Sequence, residues 1–125
     1  MFIKNLKSCN KFVAGDGSIL RELLNARKGK FFFRYSLAHA VVKHKKITKP
    51  HRLKTSEVYY ILNGIGRMRI DKESKKVNPG DTIYIPPRSL QYIENIGKSN
   101  LVFLCIVDPA WCLQDEEVIG DGLSA

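Results

Sequence analysis

From Phe31 onward, apolar and polar positions alternate in short runs separated by Gly, Pro and Asn, the signature of strands rather than helices. Residues 31–42 (Phe-Phe-Phe-Arg-Tyr-Ser-Leu-Ala-His-Ala-Val-Val) predict one long strand or a strand pair with a bend. Glu57–Leu62 is rich in aromatic and β-branched residues, and Asn63-Gly64 is the strongest hairpin signal in the chain. Ile65–Ile70 alternates and returns along that hairpin. Asn78-Pro79-Gly80-Asp81 predicts a turn into Thr82–Ile85, a strand closed by Pro86-Pro87. Gln91–Glu94 and Leu101–Val107 complete the set. So many short strands predict an all-β sandwich or barrel, and periodicity does not choose between them. Before Phe31 the pattern changes. Ile19, Leu20, Leu23 and Leu24 have the spacing of one helical face, which predicts a short helix within residues 16–29. Asp16 or Ser18 would cap it and Gly29 would stop it. An extended N-terminal arm fits the same residues.

Side chains two apart on a strand share a face, so His51 and Leu53 point one way, as do Glu57, Tyr59 and Ile61. Arg67 and Arg69 alternate with Met68 and Ile70 and face solvent. Two segments hold most of the candidate chemistry. One runs from Pro50 through His51, Leu53 and Glu57 to Gly64; the other runs from Gly80 through Pro86, Arg88 and Gln91 to Asn95. Together they resemble the two motifs of the cupin family. The first motif there is His-x-His, a Glu and then a Gly; the second is a Gly, Pro-x-Gly-x-x-His and then an Asn. The turn-makers Gly64, Gly80, Pro86 and Asn95 are kept. Leu53 stands at the second His position, Gln91 at the third, and Arg88 at the motif's second Gly.

The resemblance implies a double-stranded β-helix, the cupin jelly-roll barrel, with a short N-terminal helix or arm. It implies an inward site of His51, Leu53, Glu57 and Gln91. One imidazole and one carboxylate are strong ligands for Zn, Mn, Fe or Ni, and a Gln carbonyl is a weak one. Gln is nonetheless a ligand in some cupins, including the phosphomannose isomerase type. The candidate metal ligands are therefore His51, Glu57 and Gln91, for one divalent ion. The other reading is a metal-free pocket in which these three hydrogen-bond one another. Leu53, Tyr59 and Arg88 are the candidate ligand-pocket residues, with Arg88 placed to clamp a carboxylate or phosphate; its alternative partners are Glu94 and the acidic tail. Tyr84 and Tyr92 are further pocket candidates without the parity of Glu57. His39 is either an extra nitrogen ligand or a core or rim residue, and His44 reads as solvated. The function implied is binding of a small polar or anionic metabolite, sugar-like or sugar-phosphate-like, with or without the metal. The alternative is a metal-dependent sugar-phosphate isomerase or epimerase, and catalytic residues stay unassigned. Homodimers are common among cupins of this size.

Composition narrows the picture. At 125 residues with 44% apolar and 26% charged residues, the chain fits one domain with one buried core. The expected division is an arm or helix over 1–30, a barrel over 31–110, and an acidic tail over 111–125 that packs on the barrel or on a partner. The net charge of +9 is uneven: residues 1–100 hold 21 bases against 7 acids, and residues 101–125 hold 5 acids and no base. The bases are scattered and not interleaved with aromatics, so nucleic acid is not the expected partner. No apolar run approaches a membrane span and the N-terminus lacks a secretory pattern, so the expected location is the cytoplasm. Cys9, Cys105 and Cys112 form no C-x-x-C pair, and Cys105 reads as a buried packing residue.

Overall fold

A computed structural model describes residues 1–25 and 32–119. The strands are β1 (Phe12–Val13), β2 (Ile19–Leu24), β3 (Ser36–Val42), β4 (His51–Leu53), β5 (Ser56–Asn63), β6 (Gly66–Ile70), β7 (Glu73–Val77), β8 (Thr82–Ile85), β9 (Gln91–Asn95), β10 (Leu101–Asp108) and β11 (Glu116–Val118). They form two antiparallel sheets, ordered β1-β2-β3-β10-β5-β8 and β11-β4-β9-β6-β7. The sheets face each other as a jelly-roll barrel. The expected all-β double-stranded β-helix is therefore what forms.

The turn-makers explain why the chain closes this way. Gly64 has φ +86°, and a Cβ there would lie 2.6 Å from the Asn100 carbonyl oxygen, so only Gly fits the β5–β6 hairpin. Asn95 is buried, and its amide donates to the carbonyls of Val42 and Ser99 while its oxygen accepts from Gly97 N–H. One side chain thus ties β9 to β3 and to the turn before β10. Between the sheets, Ile61, Met68, Ile85, Ile93 and Phe103 form the core, each under a tenth exposed. This packing closes one end of the barrel and leaves the other end open to chemistry.

The expected helix within 16–29 is not formed where the chain is described. Ile19–Leu24 is strand β2, paired with β3 through Ile19↔Val41, Leu20↔Ala40 and Arg21↔His39. All six of its residues are half-buried, so apolar side chains are wanted on both faces. The spacing 19, 20, 23, 24 suits a helical stripe, but it equally supplies one apolar residue to each face at both ends of a strand. Pairing with β3 decides between them. Asp16 is not a helix cap. Its Oδ1 accepts from Ser18 N–H at 2.9 Å and from Ser18 Oγ at 2.6 Å, closing a turn at Gly17. The proposed stop, Gly29, lies outside the described residues. The only helical elements described are the single 3-10 turns at Leu6–Ser8 and Leu113–Asp115.

The tail joins the barrel as well: β11 pairs with β4, and Glu117 meets Arg52 at 3.4 Å. Among the described residues, no helix is long and apolar enough to cross a membrane.

Candidate functional site

Strands of both sheets and two flanking segments bring polar side chains to the open end of the barrel. Alternation on β4 turns His51 and Leu53 inward, both under 5% exposed. Alternation on β5 does the same for Glu57 and Tyr59, on β9 for Gln91, and on β10 for Phe103, Cys105 and Val107. The turn before β2 supplies Asp16, the segment after β10 supplies Trp111, and β11 supplies Glu116. All of these groups except Gln91 line a cavity of about 310 Å³.

Inside it, Glu57 is the hub. Gln91 Nε2 donates to Glu57 Oε1 at 2.9 Å, the Cys105 thiol donates to Glu57 Oε2 at 2.6 Å, and Tyr59 OH donates to Gln91 Oε1 at 3.1 Å. A carboxylate only accepts, which fixes the Gln91 amide with its nitrogen toward Glu57 and its oxygen toward Tyr59. Burial raises the Glu57 carboxyl above its ordinary range, opposed by the Cys105 hydrogen bond, the nearby His51 and the Gln91 hydrogen bond. Burial likewise pushes the Tyr59 hydroxyl and Cys105 thiol well up, with the Glu57 charge adding to both. These two groups are therefore proton donors in the network.

His51 stands apart from that network. Its Nδ1 lies 2.9 Å from the carbonyl of Lys49, and its Nε2 faces Asp16 Oδ2 at 4.0 Å, longer than a hydrogen bond. Glu116 completes this second group. Its carboxyl is raised by burial and lies within electrostatic reach of His51 and Asp16, and its Oε2 accepts from Trp111 Nε1 at 3.2 Å.

The expected metal ligands His51, Glu57 and Gln91 do converge, but their donor atoms do not fit an ion. The Gln91 oxygen is committed to Tyr59, its nitrogen points at Glu57, and both Glu57 oxygens already accept hydrogen bonds. Leu53 fills the fourth position with hydrocarbon. Among the described residues, no three His, Cys, Asp or Glu side chains come together in an arrangement that holds a metal. The hydrogen-bonded alternative is realised for Glu57 and Gln91, with His51 excluded from it.

Of the other candidates, Leu53 and Tyr59 line the cavity and Arg88 does not. Arg88 is exposed, at φ +66°, with its backbone N–H donating to the Leu53 carbonyl at 2.7 Å. The left-handed backbone explains why the family motif has Gly there, and the exposed side chain lies outside the cavity lining. Arg88 forms no ion pair with Glu94 or the tail among the described residues. Tyr84 is 59% exposed on the outer face, and Tyr92 does not line the cavity. His39 also points outward, opposite Arg21, where partial burial and that guanidinium lower its pKa.

Sequence reasoning missed Asp16, Cys105, Trp111 and Glu116 as cavity residues. The parity of Cys105 with Phe103 and Val107 on one strand was the available signal. Asp16 and Glu116 lie outside the two motifs, and only tertiary packing brings them to His51.

A two-sheet barrel, packed at one end and hollow at the other, defines a double-stranded β-helix protein. Residues 38–107 match the cupin domain family, and the chain belongs to that family. It is 45% identical over 111 residues to an uncharacterised protein of Methanocaldococcus jannaschii, covering 86% of both chains. Among solved structures it is similar to a cupin 2 conserved barrel domain protein from Salinispora arenicola (TM-score 0.74, 17% identity, 91% of each chain). It is also similar to the nucleoside dehydratase Pac13 of Streptomyces (TM-score 0.76, 18% identity, 95% of this chain and 91% of that one). A third is oxalate decarboxylase from Bacillus subtilis (TM-score 0.77, 22% identity, 91% of this chain and 30% of that one). At these identities the likeness to solved structures is one of fold.

Proposed function

We propose that this cupin binds a small organic molecule in the open end of its barrel, and that the molecule is neutral or cationic and donates hydrogen bonds. The observation that supports this is the charge of the cavity wall. Asp16, Glu57 and Glu116 face the cavity, and no Lys or Arg lines it among the described residues. A phosphate or carboxylate entering there would meet carboxylates without a guanidinium to receive it, which argues against the anionic half of the expected ligand class. A sugar-like hydroxylated molecule remains compatible: apolar walls from Leu53, Phe103 and Val107 pack its carbon skeleton, and the acceptors orient its hydroxyls.

A second reading, proton transfer, is favoured by Glu57. A buried carboxyl with a raised pKa beside a Tyr hydroxyl and a thiol has the setting of a general acid–base group. An isomerase or epimerase without a metal would use it. Phosphate recognition has no basis in the wall, and the donor set offers no metal-dependent step.

Screening neutral, cationic and anionic fragments by thermal shift tests the main reading, on the natural chain and on Ala38→Phe, which places a ring in the cavity. Neutral or cationic fragments are expected to stabilise the natural chain, by about 2.7 kcal/mol at a hundredfold excess over Kd. Ala38→Phe is expected to abolish the effect. Stabilisation by anions alone, or equal stabilisation of both chains, would count against the proposal.

We also propose a homodimer through the outer face of the six-stranded sheet. Register sets Leu37, Ile106, Val58 and Tyr84 in one cross-strand row, and Tyr60 and Leu62 stand beside it. Ile106, Tyr60, Leu62 and Tyr84 are 39–59% exposed. Strands β3, β5, β8 and β10 contain no Lys or Arg, so a second copy docked by a two-fold axis would bury this face without facing one +9 chain's bases against the other's. Sedimentation is expected to show a dimer, and the double substitution Leu62→Glu with Tyr84→Glu a folded monomer. A monomeric natural chain, or a variant that still dimerises, would contradict this.

A further inference from the structure

We infer that the ligand presents a protonated primary amine to Asp16 and Glu116, beside His51. This rests on the cavity-binding reading and names the chemical class it takes. His51 is 3% exposed and its ring is oriented by one contact: Nδ1 lies 2.9 Å from the Lys49 carbonyl. A carbonyl oxygen only accepts, so Nδ1 carries the hydrogen and Nε2 is left toward Asp16 and the cavity. Nε2 has no hydrogen-bond partner among the described residues; the nearest carboxylate oxygen, Asp16 Oδ2, is 4.0 Å away. The other Asp16 oxygen is taken by Ser18, which fixes the carboxylate in place and leaves Oδ2 toward the ring. Glu116 is held in the same way, with Trp111 on Oε2 and no described partner on Oε1. The β11–β4 register sets Glu116 opposite Leu53, one inward position from His51.

Two carboxylate oxygens, Asp16 Oδ2 and Glu116 Oε1, therefore share one corner of the cavity with His51 Nε2. A ligand that only accepts hydrogen bonds would give neither oxygen a donor. A hydroxyl donates one hydrogen bond; an ammonium group donates three and brings the opposite charge. A compact metal ion needs ligands converging at about 2 Å, and the side chains here are not so arranged. Ammonium hydrogen bonds near 2.8 Å suit a looser set.

Three probes of matched shape test the assignment by calorimetry at pH 7 with EDTA present: cyclohexylmethylamine, cyclohexylmethanol and cyclohexanecarboxylate. The amine is expected to bind about tenfold or more tightly than the alcohol, and the carboxylate not at all. Asp16→Asn keeps the Oδ1 acceptor for Ser18, and Glu116→Gln keeps a side-chain oxygen for Trp111. Each is expected to lower amine affinity about tenfold while leaving the alcohol unchanged. An alcohol that binds as well as the amine, amine affinity unchanged in both variants, or carboxylate binding would overturn the inference while leaving the cavity as a binding site. If none of the three binds, both the inference and the cavity reading fall.

Discussion

Gln91→Leu is expected to destabilise the protein by about 3–5 kcal/mol, with the loss growing as pH rises. Gln91 is 1% exposed and joins two buried groups, donating to Glu57 Oε1 and accepting from Tyr59 OH. A leucine there strands both, and each orphaned buried polar group costs about 1–3 kcal/mol. The pH dependence follows from Glu57, whose pKa in the fold is already raised from 4.5 by burial. Below the ordinary value the carboxyl is protonated in both folded and unfolded chains, and no ionic penalty applies. As pH climbs from there through the raised folded value, the unfolded chain ionises first, and stability is lost. Removing the Gln91 donor raises the folded pKa further, so that loss continues to a higher pH in the variant. Urea unfolding at several pH values measures it. Equal losses at low and neutral pH would show that Glu57 is not what Gln91 supports.

Phe103→Ala is expected to cost about 3–5 kcal/mol at any pH. Phe103 is 2% exposed on β10, within the core between the sheets, and its ring centroid is 4.3 Å from that of Tyr59 at 33°. The residue also borders the cavity, so the substitution joins core space to ligand space and frees the Tyr59 ring to move. The Tyr59–Gln91–Glu57 chain then loses one of its supports. A cost below about 1 kcal/mol would mean that the wall between core and cavity collapses to fill the gap, and that the ring is not what keeps the two apart.

The barrel was legible because its constraints are local. Gly64 and Asn95 are fixed by backbone geometry, and a residue that alone fits a hairpin or bridges three main-chain groups leaves its mark in the sequence wherever the rest of the chain lies. The helical expectation for Ile19–Leu24 failed for the opposite reason: what makes it a strand is its pairing with β3, which no window of residues 16–29 contains. Half of the site was legible in the same sense. His51, Glu57, Tyr59 and Gln91 lie on strands whose alternation points them inward, and the last three share one hydrogen-bonded network that leaves His51 out. Their roles did not follow, since whether Gln91 offers its oxygen to an ion or to a tyrosine depends on a neighbour 32 residues away. Arg88 shows the limit of reading side-chain chemistry without backbone conformation. A guanidinium at a barrel mouth suggests an anion clamp, but at this left-handed position the side chain is exposed and does not line the cavity. Asp16 and Glu116 come from the two ends of the chain, beyond both motifs, and they set the sign of the cavity's charge.

The most direct test of ligand binding in the open end of the barrel is methyl NMR of the protein during titration with the matched amine and alcohol. Ala38, Leu53 and Val107 line the cavity, whereas Leu62 and Ile106 lie on the outer face of the sheet. Binding as proposed moves the methyl signals of the first three in a saturable way and leaves Leu62 and Ile106 in place. Saturable shifts confined to Leu62 and Ile106, or none at Ala38, Leu53 and Val107, would contradict it.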